Sequence, residues 1–259
     1  MNLLEVEGLV KVYGGVHAVD DVDFIAEAGR ISGIIGPNGA GKTTLFNVIT
    51  GLDEPTRGRV LFKGRDVTGL AAHRVARLGI ARTFQNIRLF KELTVVENIM
   101  IGRHARAGHP RLSGLRTVNA LHTLWSREKV ERSIYESARH WMEFFGLEQS
   151  ANELARNLPY GKQRALEIAR ALATDPTLLF LDEPAAGMNP AETLELLGMI
   201  KRVNALGITI VLIEHDMRLV MNVCERITVL NYGKKLAEGT PEEIRNDPAV
   251  IEAYLGRDE

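Results

Sequence analysis

The sequence predicts an α/β fold interrupted by an all-helical segment, and three observations carry that expectation. A short apolar run, Ile31-Ser32-Gly33-Ile34-Ile35, leads through a glycine-rich turn into Leu45, Val48, Ile49 and Leu52, which recur at helical spacing. Two further apolar runs, Leu178-Leu179-Phe180-Leu181 and Thr209-Ile210-Val211-Leu212-Ile213, have the length and continuity of strands buried on both faces. Between about residues 93 and 160 no strand signal occurs, whereas helical periodicity does.

Taken in order, residues 3–12 alternate around Leu4, Val6, Leu9 and Val10 as a half-buried strand, and residues 19–25 read as a second. Gly51 and Pro55 end the first helix; residues 59–64 read as a strand closing in a turn. Residues 71–78 form a short amphipathic helix and 80–84 return to strand. Thr94, followed three residues later by Glu97, is a capping box that starts a helix. Residues 102–118, rich in Gly, Pro, Arg and His, read as a loop or frayed helix, and helical spacing resumes over 127–145. The core resumes at Gly161 with a helix through Leu166, Ile168, Ala169 and Leu172. Pro190 opens a helix at its first turn, and residues 227–239 finish the sheet. The expected division is therefore an α/β core from 1–92 and 161–240, a helical subdomain at 93–160 and a helical tail at 241–259.

The glycine-rich turn is Gly36-Pro37-Asn38-Gly39-Ala40-Gly41-Lys42-Thr43-Thr44, which matches G-x-x-x-x-G-K-[ST] in the strand–loop–helix setting its mechanism needs. Glycines let the backbone turn its N–H groups onto an anion, and the helix N-terminus adds partial positive charge. Lys42 would reach the β- and γ-phosphates of a nucleoside triphosphate, and the Thr43 hydroxyl would ligate Mg²⁺. Asp182 ends an apolar strand, where a carboxylate can hold Mg²⁺ through its water shell, and Glu183 beside it would polarise an attacking water. Read alone, such a carboxylate pair is equally a helix cap or a loop surface; the apolar strand and the phosphate loop decide for chemistry. His215 also stands at a strand end and would reach the same γ-phosphate, while Gln85 offers an amide to the Mg²⁺ and water shell.

Bulk properties narrow the class. The 259 residues carry 32 basic and 33 acidic side chains, a balance that argues against a strongly electrostatic nucleic-acid binder. A single cysteine, Cys224, excludes an internal disulfide and suits a small hydrophobe on a helix. No apolar run approaches the ~18 residues of a transmembrane helix, and the N-terminus lacks a signal-peptide pattern. A cytosolic chain attached to a membrane only through partners is expected.

These pieces together resemble the ATP-binding subunit of an ABC transporter, a likeness that spans essentially the whole chain. It implies a P-loop NTPase core of the ABC ATPase type with a mixed sheet and the inserted helical subdomain. In that family the parts are Walker A at residues 36–43, a glutamine loop at Gln85, Walker B with its glutamate at residues 178–183 and a switch histidine at His215. The resemblance also implies that Tyr13 stacks on adenine; without it, Tyr13 reads as ordinary strand packing. ATP and Mg²⁺ are the implied cofactors. Implied partners are membrane permease subunits, a second ATPase subunit and, indirectly, a substrate-binding protein, at the cytoplasmic face of the membrane. No nucleic-acid partner is expected.

Two positions depart from the family. The signature, usually Leu-Ser-Gly-Gly-Gln, is here Leu158-Pro159-Tyr160-Gly161-Lys162, so Pro159 replaces the serine that would serve the partner's γ-phosphate. Asn189 stands where an aspartate is usual. Residues 82–90, 183–190 and 213–217, with the ending 239–256, are most similar to the LivG-type subunits of branched-chain amino acid importers. The alternatives are the ATPase of lipopolysaccharide transport, which keeps an ordinary signature, and a soluble ABC-type ATPase working on nucleic acid. A small GTPase fits less well, since no Asn-Lys-x-Asp guanine reader occurs. Basic residues of the insertion (Arg103, Arg106, Arg111, Arg116, Arg127, Lys129 and Arg132) read as a solvated surface before a partner face. Ile87, Leu89 and Phe90 are the expected docking groove for the membrane subunit.

Overall fold

The structure, a computed structural model, describes residues 1–104, 120–215 and 217–255. Its contacts divide into two compact units, residues 1–85 with 177–259, and residues 86–176.

The first unit holds every strand found among the described residues. β1 (Asn2–Tyr13), β2 (Val16–Glu27), β4 (Arg57–Phe62) and β5 (Arg65–Asp66) form an antiparallel sheet in the order β2-β1-β4-β5. The second sheet contains β3 (Ile31–Ile35), β6 (Ile80–Arg82), β7 (Leu178–Asp182), β8 (Thr209–Ile213), β9 (Arg226–Asn231) and β10 (Lys234–Gly239), ordered β10-β9-β3-β8-β7-β6. All its neighbours pair in parallel except β10 on β9, so the sheet is mixed. β3, β7 and β8 are buried at every position, as their unbroken apolar runs require.

The helix α1 (Lys42–Ile49) lies in one hydrophobic cluster with both sheets. Leu45, Phe46, Val48 and Ile49 share that core with Leu4, Val6, Leu9, Phe24 and Phe62 on one side and Ile34, Phe180 and Val211 on the other. The Phe46 ring meets Phe180 edge-on, with centroids 4.6 Å apart. α2 (Ala72–Leu78) precedes β6; α6 (Pro190–Ala205), α7 (Met217–Val223), α8 (Pro241–Asn246) and α9 (Pro248–Leu255) complete the unit.

The second unit is helical: α3 (Val95–His104), α4 (Ala120–Phe145) and α5 (Tyr160–Leu172), joined by short 3₁₀ turns at Glu148–Ser150 and Ala155–Asn157. The Thr94 capping box forms as expected, with the Thr94 amide donating to Glu97 Oε2 at 2.8 Å and the Glu97 amide to Thr94 Oγ1 at 3.3 Å. Asn98, fully buried, accepts from the Phe90 amide and donates to the carbonyls of Phe90, Leu93 and Thr94, which fixes the turn ahead of α3. α3 approaches α5 so closely that a Cβ on Gly102 would stand 2.2 Å from the Arg170 carbonyl oxygen.

The sequence placed the edges of the insertion at 93 and 160 and let the core resume at Gly161; the units instead divide after Gln85 and before Thr177. The reason is packing. The helix 160–172 buries Leu166, Ile168, Ala169 and Leu172 and contacts α3 and α4, so it belongs to the helical unit. β6 ends at Arg82, not Phe84, and α4 begins at Ala120, seven residues before the periodicity suggested. Of the predicted loop at 102–118, residues 105–118 lie outside the described residues, as do the side chains of Arg106, Arg111, Arg116, Arg127 and Lys129. Arg103 pairs with Asp175 within its own unit, so it is not a spare surface charge.

Cys224 follows α7 and packs against β3, where a Cβ on Gly33 would lie 2.9 Å from its Sγ. Burial pushes its thiol up to about 12. Native protein at pH 8 is expected to resist iodoacetamide, with alkylation appearing only in denaturant; rapid native labelling seen by mass spectrometry would contradict this packing.

Candidate functional site

The phosphate loop sits between β3 and α1, and two of its glycines have no substitute. At Gly36 (φ +152°) a Cβ would stand 2.1 Å from the Leu230 carbonyl oxygen, and at Gly41 (φ +97°) 2.2 Å from that of Ala18. Gly41 is also the residue that opens α1, so the loop delivers its amides at a helix N-terminus. The Ala40 amide closes a turn onto the Pro37 carbonyl at 3.1 Å. Gly39 adds a third left-handed residue, while Asn38 between the glycines has its own partners. Thr43 is exposed and Thr44 half-buried in the first turn.

Lys42 is buried, and its Nζ donates to the carbonyls of Gly36 at 2.7 Å and Pro37 at 2.9 Å. The ammonium is folded onto the rim of the loop, in reach of an anion seated there.

Strand direction brings the remaining groups together. Because β3, β8, β7 and β6 run parallel, the segments that leave their carboxyl ends share one edge of the sheet. Glu183 leaves β7 with a left-handed backbone (φ +44°), held by its amide donating to the Ile213 carbonyl at 2.9 Å. A non-glycine residue there stores strain that the surroundings must hold. Gln85 Nε2 donates to Glu183 Oε2 at 2.8 Å, and His215 Nδ1 stands 3.8 Å from the same oxygen. The structure thus brings Gln85 and His215 to the Glu183 carboxylate, a meeting of side chains that the sequence reading, which placed them on the Mg²⁺ shell and the γ-phosphate, did not name.

Several participants escaped the sequence reading. Asp182, nearly buried, is gripped at Oδ2 by Arg82 Nη2 at 2.6 Å, and Arg82 Nη1 reaches Asn47 Oδ1 at 2.8 Å and Thr50 Oγ1 at 3.1 Å. Glu214 is 1% exposed; its Oε1 accepts from the Ala185 amide at 2.9 Å and its Oε2 from the His215 amide at 3.3 Å. It thereby staples the segment after Glu183 to the one carrying His215, and burial raises its carboxyl above the ordinary range. A charged residue beside an expected catalytic one was the available signal, but sequence does not say which charges are internal.

Tyr13 ends β1 with its ring partly exposed. Its hydroxyl donates to Asp53, Lys11 Nζ lies 4.7 Å from the ring centroid, and Lys11 also pairs with Asp53 at 3.1 Å. Burial and the Asp53 carboxylate push the Tyr13 hydroxyl up to about 12, and the hydrogen bonds from Tyr13 and Lys11 hold Asp53 below its usual value. The ring is therefore held in place by Asp53 and Lys11 while the residue stays 42% exposed.

In the helical unit, Pro159 precedes α5 and Tyr160 opens it; Leu158 is buried, Gly161 half-buried and Lys162 exposed. Gln163 Nε2 donates to the Leu158 carbonyl at 2.8 Å. Beneath the helix start, Arg164 and Glu167 form a buried pair at 2.8 Å, and Glu167 Oε1 accepts from the Arg88 amide. Asn189 caps α6, its side chain accepting from the amides of Ala191 and Glu192.

A phosphate loop, a strand-end carboxylate pair and a histidine on adjoining parallel strands define a nucleotide-binding ATPase cassette. Comparison with known proteins agrees: the family described as ABC transporter matches residues 19–186, and that described as branched-chain amino acid ATP-binding cassette transporter matches residues 234–259. The chain is 47% identical, over 98% of both chains, to the high-affinity branched-chain amino acid transport ATP-binding protein BraF of Pseudomonas aeruginosa, and equally to LivG of Escherichia coli. A crystal structure of the ADP conformation of an ATP-binding cassette of an ABC transporter superposes with a TM-score of 0.85 at 34% identity, covering 99% of this chain and all of that one. The chain belongs to the ABC transporter ATP-binding family and is an ATP-hydrolysing subunit. Among the described residues no helix is long and apolar enough to cross a membrane.

Replacing Gly41 by Ala drives a methyl into the Ala18 carbonyl, so ATP affinity is expected to fall more than about tenfold, a step of roughly 1.4 kcal/mol, in a fluorescent-nucleotide titration. Unchanged affinity would show that the loop can rearrange without cost.

Proposed function

We propose that this chain powers the import of branched-chain amino acids as the ATPase bound to membrane permease subunits at the cytoplasmic face. Two resemblances carry this reading: near-complete alignment with BraF and LivG, and a C-terminal segment of the branched-chain type. The donor set fits a hard cation. Thr43 offers a hydroxyl, Asp182 a carboxylate at a strand end and Gln85 an amide, all oxygen ligands of the kind Mg²⁺ prefers. When bound, Mg²⁺ would neutralise charge on the phosphates. Lys42 and the loop amides hold the β- and γ-phosphates, and Tyr13 stacks on the base. Glu183, aligned by Gln85 and His215, orients the attacking water and takes its proton.

Phosphoryl transfer depends on positioning and charge neutralisation, so half a site is a poor catalyst. A second ATPase subunit is expected to supply its residues 158–162 to this chain's phosphate, and hydrolysis of the bridging γ-phosphate lets the pair open. The helical unit, entered directly after Gln85, passes that motion to the permease. Phe90, half exposed, and the partly buried Ile87 and Leu89 are the proposed docking points.

The assembled complex in proteoliposomes with its substrate-binding protein should accumulate leucine, isoleucine or valine on ATP addition; ATP-driven transport of other solutes alone would refute the substrate assignment. Glu183→Gln should keep ATP binding and slow turnover by ~10²-fold or more, and normal turnover would move the base elsewhere. Pro159→Ser should leave activity of the complex intact or raise it; a large loss would make Pro159 itself required.

A further inference from the structure

We propose that Arg82 is a positioning residue that sets the spacing between the two ends of the magnesium site. The inference rests on the reading above that Thr43 and Asp182 face one cation. Those residues belong to different elements: Thr43 lies in the first turn of α1, and Asp182 ends β7. Arg82 ends β6, the strand paired to β7, and its guanidinium is bonded to both. Nη2 holds Asp182 Oδ2 at 2.6 Å, and Nη1 holds Asn47 and Thr50 at the far end of α1 at 2.8 and 3.1 Å. The Arg82 guanidinium carbon also lies 5.5 Å from the centroid of Phe46, on α1, and 5.0 Å from that of Phe84. A rigid, planar, five-donor fork can make these bonds at once; a lysine cannot.

Burial argues that this pair is kept for geometry. The Arg82 and Asp182 side chains are 6% and 4% exposed, and a buried ion pair gains little over well-packed apolar residues. The described bond uses only Oδ2 of Asp182, which leaves Oδ1 for the cation's water shell. Arg82 stands to Asp182 as an outer partner stands to a metal ligand: it fixes which oxygen is presented and at what distance from α1. Loss of such partners typically weakens metal affinity ~10–100-fold.

The test measures binding of a fluorescent ATP analogue to the full chain, first in EDTA and then across a Mg²⁺ titration, for wild type, Arg82→Lys, Arg82→Met, the Asn47→Ala/Thr50→Val double variant and Asp182→Asn. Arg82→Met and Arg82→Lys are expected to bind nucleotide in EDTA within about twofold of wild type while needing about tenfold more Mg²⁺ for half-maximal effect. The Asn47/Thr50 variant, which leaves the Arg82–Asp182 bond untouched, should shift in the same direction by a smaller factor. Wild-type Mg²⁺ dependence in the Arg82 variants, or equal losses with and without Mg²⁺, overturns the proposal. If Arg82→Met does not fold, the Asn47/Thr50 variant decides, and its unchanged Mg²⁺ dependence overturns it equally. If Asp182→Asn itself binds Mg²⁺ and nucleotide as wild type does, the Walker B reading fails, a result distinct from failure of Arg82's role.

Discussion

One constraint organises the molecule: β6, β7, β8 and β3 run in the same direction through a buried sheet. A parallel strand leaves its carboxyl end at the same edge as its neighbours, so each loop that follows adds to one site. β3 releases the phosphate loop, β7 releases Asp182 and Glu183, β8 releases Glu214 and His215, and Gln85 follows β6 by three residues. Strand order then fixes who can touch whom. β7 stands between β6 and β8, and so Glu183 is reached by Gln85 from one side and His215 from the other.

The polar groups at that edge are held by bonds that the fold cannot easily forgo. A buried charge without a partner is costly, and here the internal carboxylates are each engaged. Asp182 is engaged by Arg82, and Glu214 by two backbone amides. Glu183 is different: half-buried, with a left-handed backbone, its carboxylate accepts from the Gln85 side-chain amide and lies near the His215 imidazole. The edge thus separates carboxylates held by a guanidinium or by backbone amides from one held by side chains, the arrangement that the proposed role of Glu183 as base calls for.

Much of this was legible because the chemistry sits at strand ends, where a run of apolar residues stops at a charge. Leu178 to Leu181 followed by Asp182 and Glu183 can be read without a structure, as can the glycine spacing of 36, 39 and 41. What could not be read is which polar residues turn inward. Arg82 falls inside the strand expected at 80–84, with nothing to say that it turns inward until β6 is known to lie beside β7, and Glu214 looks like a neighbour of His215 rather than the staple between two loops. The boundary of the helical unit was misplaced for a related reason. The apolar stripe of residues 160–172 says that the helix is buried, and nothing in its period says against what.

The two departures from the family pattern are both settled locally by ordinary helix-end physics. Asn189 caps α6 with a complete capping box to Glu192, a role in which asparagine and aspartate are about equal, so the exchange costs the helix start little. Pro159 is less neutral. A serine at this position would cap α5 through its hydroxyl; proline has no such group, and its fixed φ of −55° instead pre-sets the entry to the helix. The Gln163 side chain holds the Leu158 carbonyl, and the buried Arg164–Glu167 pair ties the first turn to the Arg88 amide. The helix start is therefore rigid without a serine. On the proposed reading, what the proline removes is a hydroxyl donor toward a second subunit's nucleotide, not the fold of the segment that would present it: Pro159 still leads directly into α5 at Tyr160.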